Sequence, residues 1–188
     1  MRVLPVLFLL VGALWLIGGC KSKKTSLSGD EPVEISDFID FFEERTLPFT
    51  VADTTLQKKD YDSLLISTKV FAQFVPDSIL AAEYKNAKPK IYPLGKVKGD
   101  ETYLVVKTVA GNNRAAFVLA FDKKDRFIAA MPLLKIDALA QTRQVSQIDR
   151  RYTFSKSVIR KNSDGSTSDG KDVYALNKEG GDFILIMT

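Results

Sequence analysis

The stretch "ETYLVVKTVAGNNRAAFVLAF", residues 101–121, holds two apolar runs separated by Gly111-Asn112-Asn113. Gly and Asn tolerate the left-handed backbone that a tight reversal needs, so the tripeptide reads as the turn of an antiparallel hairpin. Within the second run, "FVLAF" at 117–121 is apolar at every position. A strand with one wet face alternates apolar and polar side chains, whereas a continuous apolar run implies cover on both faces. This hairpin is therefore expected at the centre of a sheet, with helices or a second sheet layer over its other side.

The flanking segments extend the sheet in both directions. "KIYPLGKVKG" at 90–99 leads into the hairpin, and "DKKD" at 122–125 connects it to "RFIAAMPLL" at 126–134. After an irregular "KIDALAQTRQ" come "VSQIDRRYTFSKSVIRK" at 145–161, "KDVYALN" at 171–177 and "DFILIMT" at 182–188. These connections leave no room for the crossover helices that parallel strands require. "FILIM" at 183–187 is as apolar as "FVLAF", and the same argument makes it a second central strand.

Helical periodicity is confined to the first half of the chain. "ISDFIDFFEERTLP" at 35–48 gathers Phe38, Ile39, Phe41 and Phe42 on one arc and Asp37, Asp40, Glu43 and Glu44 on the other. Ser36 reads as the N-cap, and Pro48 follows the end. Within 61–80, Pro76 disfavours helical geometry at Val75, so one short helix ends near Phe74 and another turn begins at Asp77. The fold class is α+β: a mainly antiparallel, meandering β-sheet with two or three short helices packed on it. Residues 35–188 form a single domain, since about 150 residues bury roughly two-thirds of their surface on folding.

The N-terminal segment differs in character. Arg2 is the only charged residue before Lys21, and the 17 positions from Val3 to Gly19 are apolar or small. A basic start, an apolar run and small residues indicate a secretory signal peptide. A spanning helix needs about 20 residues, and Pro5 and Gly12 interrupt this one. Ile17-Gly18-Gly19-Cys20 ends the run with an aliphatic residue, two small ones and the single cysteine of the chain. This resembles the lipobox of bacterial lipoproteins, over about the first 24 residues. The resemblance implies that residues 1–19 are removed and that Cys20 carries acyl chains that fasten the protein to the cell envelope. Several chains hold firmly, at about 0.8 kcal/mol per buried methylene. Residues 20–34, "CKSKKTSLSGDEPVE", read as a flexible tether. In lipoproteins of the enteric type, aspartate after the cysteine marks inner-membrane retention. Lys21 departs from that, which implies an outer-membrane anchor. Some lipoproteins reach the cell surface through an acidic cluster after the cysteine, and the basic cluster Lys21, Lys23 and Lys24 here implies a domain facing the periplasm.

The available chemistry is limited by composition. There is no histidine, and acylation of Cys20 removes the only thiol, so imidazole-based and thiolate catalysis are excluded. Phosphate-binding loop motifs are missing from the sequence. Ser168 and Lys171 have a Ser-x-x-Lys spacing, and Asp164, Asp169 and Asp172 cluster nearby, but all lie in "NSDGSTSDGKD", which reads as a solvated hairpin tip. Neither a metal nor any other cofactor is expected. The one hint of a binding surface is residues 143–161, where basic residues interleave with aromatics. Alternation would place Arg150, Tyr152, Phe154, Lys156, Val158 and Arg160 on one strand face. That face is either a docking strip for an envelope protein or an anionic envelope component, or a structural strand; an exported location makes nucleic acid an improbable target. The expected function is a non-catalytic envelope lipoprotein with a tethered binding domain. The alternatives are a carrier holding an amphiphile in an apolar cleft and a carboxylate-based hydrolase.

Overall fold

The computed structural model describes residues 26–85, 87–136, 142–162 and 164–188. Gly111 adopts φ 59°, and the strands on either side of it pair antiparallel, Thr102–Ala110 (β3) against Asn113–Phe121 (β4). Lys90–Lys98 (β2) and Phe127–Ile136 (β5) complete a four-stranded meander in the order β2-β3-β4-β5. The other strands are Phe49–Ala52 (β1), Thr142–Ile148 (β6), Phe154–Lys161 (β7), Thr167–Asn177 (β8) and Asp182–Met187 (β9). They build a second, five-stranded sheet in the order β1-β6-β7-β8-β9, antiparallel throughout. The α+β class therefore holds, with two sheets rather than one.

The apolar run of β4 is explained by what lies on each side of it. Ala115, Phe117, Leu119 and Phe121 join a core with the helices, while Ala116, Val118 and Ala120 join a separate core with the five-stranded sheet. The helix layer comprises Ile35–Asp40 (α1), Thr68–Ala72 (α3) and Asp77–Tyr84 (α4). Its aromatic side chains interlock edge-on, with Phe38 set 5.6 Å from Phe42 and 6.3 Å from Phe71 between ring centres. The helix Asp53–Gln57 (α2) instead places Leu56 in the core between the sheets, with Val51, Ile148 and Phe154. Each fully buried Leu, Ile, Val or Phe contributes about 1.5–3 kcal/mol, so these two apolar layers dominate stability.

Several sequence expectations change. "FILIM" is not central: β9 is the last strand of its sheet, and only Phe183 packs into the core, its ring 5.0 Å from that of Phe154. Ile184, Leu185, Ile186 and Met187 are 44–59% exposed. Glu34, not Ser36, occupies the N-cap of α1, without a side-chain cap. The tether is shorter than expected. Leu27 is fully buried and its carbonyl accepts the Ser67 N–H at 2.7 Å. Asp30 accepts the Ser67 hydroxyl and pairs with Lys69 at 2.7 Å, and the Val33 N–H donates to the Gln73 side chain.

Two lysines in strand-like sequence point inward. Lys107 is 1% exposed, and its Nζ donates to the Asp60 carboxylate and the Lys58 carbonyl, each at 2.8 Å. Lys96 is 6% exposed and donates to the Ile39 carbonyl and to Asp40, which itself stays exposed at the surface. Removing one member of a buried ion pair strands the other charge and costs about 3–5 kcal/mol, whereas replacing it by apolar volume is often neutral. Denaturant melts should show Asp60→Ala destabilised by about 3 kcal/mol or more and Lys107→Met by much less. Equal, small losses would mean that water reaches the Lys107 ammonium.

Candidate functional site

Of the residues expected on one strand face, Arg150 and Tyr152 do not join it, because the chain reverses before β7 begins, whereas Phe154, Lys156, Val158 and Arg160 alternate onto one face of β7. Asp149 folds the turn: its carboxylate accepts the N–H groups of Arg151 and Thr153 at 2.8 and 2.9 Å and the Thr153 hydroxyl at 2.8 Å. Burial alone would push the Asp149 carboxyl up. The hydrogen bonds from Thr153 and Arg151 outweigh it and hold the pKa below 3.8. Tyr152 takes φ 58° in this turn, and Arg150 and Arg151 project from it into solvent.

Beyond the turn, the rest of the expected strip passes from buried to exposed along β7. Phe154 is fully buried between the sheets, its ring 5.2 Å from Tyr103. Lys156, two residues on, is half-buried with its Nζ 5.1 Å from the centre of the Tyr174 ring. Burial holds the Lys156 pKa below the ordinary lysine value, helped by Lys135 and opposed by Asp172. Arg160 is exposed near the far end of the β7–β8 hairpin, opposite Ser168. Arg150, Tyr152, Phe154, Lys156 and Arg160 therefore occupy a turn, a core and an exposed arm. Strand alternation misplaced Arg150 and Tyr152 because it assumed that β7 began at Arg150; it holds for Phe154, Lys156 and Arg160, whose burial falls along the strand.

What the turn builds instead is a cleft. The Tyr152 ring stacks on Tyr103 with centres 5.9 Å apart, and its hydroxyl donates to the Lys98 carbonyl at 3.0 Å. A recess of about 530 Å³ opens beside this pair, lined by Gly99, Glu101, Arg151 and Lys178 among others. Glu101 accepts the Tyr103 hydroxyl at 3.4 Å and is bridged by Lys178. Burial, then the neighbouring Glu101 charge, pushes the Tyr103 pKa well above the ordinary tyrosine range, so the phenol stays protonated. The cleft offers an aromatic platform, one ion pair between Glu101 and Lys178, and the exposed Arg151 at its rim. The missed sequence signal was Gly99: a Cβ there would lie 2.4 Å from the Tyr152 ring.

The second feature lies next to the cleft, at the outer edge of the five-stranded sheet. β8, which supplies Ala175 and Leu176 to the cleft, pairs on its other side with β9. The remaining sheet edges are blunted in ways that proteins use against strand addition. β1 has only four residues. The edge of β2 bonds to Glu43, Arg45 and Ile66, and β5 carries Pro132 and lies against the second sheet. β9 presents four consecutive exposed apolar side chains along a strand edge with no hydrogen-bonded neighbour among the described residues, although the strand also packs against β5 of the other sheet.

Cys20 lies outside the described residues. Among those described, no group of three or more His, Cys, Asp or Glu is placed to hold a metal, and no helix is long and apolar enough to cross a membrane. Ser168 and Asp169 lie in β8, and Asp164 accepts the Ser166 N–H and hydroxyl in the adjacent turn. Comparison with protein-family models, curated proteins and solved structures finds no match to this chain.

Two outcomes test this description. Overpacking a filled site costs about 1–3 kcal/mol, so Gly99→Ala should lower stability by that much and weaken the near-ultraviolet circular dichroism of the stacked tyrosines. An unchanged spectrum would mean that Tyr152 is not seated on Gly99. Asp149 has a depressed folded-state pKa, so its contribution is present above pH 3.8 and lost as the pH falls below it. Asp149→Asn should flatten that part of the stability–pH curve.

Proposed function

We propose that this chain is a lipid-anchored protein of the bacterial cell envelope, most consistent with the outer membrane facing the periplasm, whose domain acts by binding a protein partner rather than by catalysis. The anchor rests on the run Ile17-Gly18-Gly19-Cys20 behind its apolar segment. The single observation that carries the binding role is β9, with Ile184, Leu185, Ile186 and Met187 exposed on an open sheet edge. Water-soluble domains normally bury or interrupt such an edge, and one left open is a template for pairing with another chain.

Two further observations support this reading. Both interlayer spaces are filled by side chains such as Phe38, Phe71, Leu104, Val105, Val118 and Leu133, which favours docking over enclosure of an acyl chain. The packing of Leu27 leaves only residues 21–26 between the acylated cysteine and the core. Seven Cα steps reach at most about 25 Å, so the domain stays close to the bilayer. Leu27 packs in the helix layer, which places the five-stranded sheet on the side of the domain away from its point of attachment.

Cys20→Ser should release the protein from the membrane fraction and abolish palmitate incorporation without changing the melting temperature, because Cys20 lies before the packed chain. Continued sedimentation with membranes, together with no label in the wild type, would sink the lipoprotein reading.

A further inference from the structure

The charges around β9 identify an occupant for this edge. No lysine, arginine or proline interrupts Phe183–Met187. A bulge at Ile186 breaks the register with β8 but brings neither charge nor proline to the edge. Charge is placed at the two ends instead, with opposite sign. Asp182 begins the strand, and Glu179 lies in the turn before it, both exposed; Lys178 of the same turn is paired with Glu101. At the other end Met187 pairs with Val173, and the exposed Lys171 stands two residues further along β8. Register and alternation put Asp182, Ile184, Met187 and Lys171 on the same, outer face of the sheet. Asp169, on that face as well, is two residues farther from the edge strand's end and lies opposite Ile159.

An edge with acid at one end, base at the other and apolar side chains between is complementary to itself only when reversed. We propose that β9 is a homotypic docking edge, on which two copies of this chain pair β9 against β9, antiparallel, joining their five-stranded sheets into one. This rests on the reading of β9 as a docking edge and names its partner. The reversed copy brings its Asp182 end to the Lys171 of the first, and the two-fold axis repeats that contact at the other end. A parallel arrangement would set acid beside acid, and opposed like charges destabilise strand pairs. The contact is isologous, so both copies spend the same surface and association closes at two. Among the described residues, the blunted β1, β2 and β5 edges leave no second site for a growing fibre. Attachment of both copies to one membrane would raise their local concentration further.

The test uses the acylated protein purified in mild detergent, with its mass followed by sedimentation equilibrium and its fold by thermal melting. The wild type should be a dimer, and Ile184→Lys a folded monomer. Asp182→Lys and Lys171→Asp should each raise the dissociation constant by about tenfold at low salt, as expected for charges at an interface rim. The double variant Asp182→Lys/Lys171→Asp should return it to within about threefold of wild type, because the pairing is restored with its signs exchanged. A wild type that stays monomeric at concentrations on the order of 100 μM overturns the proposal, as does a double variant no tighter than the single ones. Photo-crosslinking from position 184 in intact cells separates the two readings. Adducts to a different envelope protein would overturn the second copy while leaving the docking edge intact. An unchanged wild-type mass and crosslink pattern in Ile184→Lys would remove both.

Discussion

Side chains leave β4 on alternate sides, and all from Ala115 to Phe121 are apolar and buried. A sheet with that property cannot face water on either side, so the chain must supply two covers. The first half of the chain supplies a layer of short helices, whose aromatic faces would be unstable alone. Isolated helices this short are not stable in water, and α1 and α3 persist because Phe38 and Phe71 are buried against Leu104, Leu119 and Phe121. The second half supplies five strands whose inner face closes over Val105, Val118 and Ala120. The three-layer arrangement is thus the consequence of one hairpin with no polar face.

Closing both faces creates a problem at the margins, where strands must return to water. Lys96 and Lys107 solve it at the ends of β2 and β3 by carrying their charge to Asp40 and Asp60 at the rim while their stems fill apolar space. Tyr103 and Tyr152 solve it beside the turn between β2 and β3, their rings covering the core and their hydroxyls reaching Glu101 and the Lys98 carbonyl. The aromatic cleft is therefore partly a structural seam. β9 is the margin that lacks such treatment, and that is why it stands out as a surface for association.

The basic stretch shows how function-bearing patterns mislead when the turn chemistry is hidden. Residues 150–160 alternate basic and aromatic side chains, as a strand with one docking face would. The deciding residue is Asp149, whose carboxylate gathers three donors and turns the chain, so that Tyr152 has positive φ and the strand begins two residues later. An aspartate before two arginines is not by itself a turn signal. Its effect depends on Tyr152 finding a seat on Gly99, more than fifty residues earlier in the chain.

Local sequence determined the α+β class, the hairpin at Gly111, the breaks at Val75–Pro76 and the antiparallel order of neighbours, because these depend on side-chain period and on the backbone limits of Gly, Asn and Pro. It also carried the N-terminal motif on which the proposed anchor rests. Tertiary structure alone decided how the strands divide into two sheets and which of two equally apolar runs becomes central. "FVLAF" and "FILIM" are alike as strings, yet one lies between two layers and the other at an edge. Apolar content reports that a strand has something to bury. Whether it is buried depends on the neighbours on either side, and those come from segments distant in sequence.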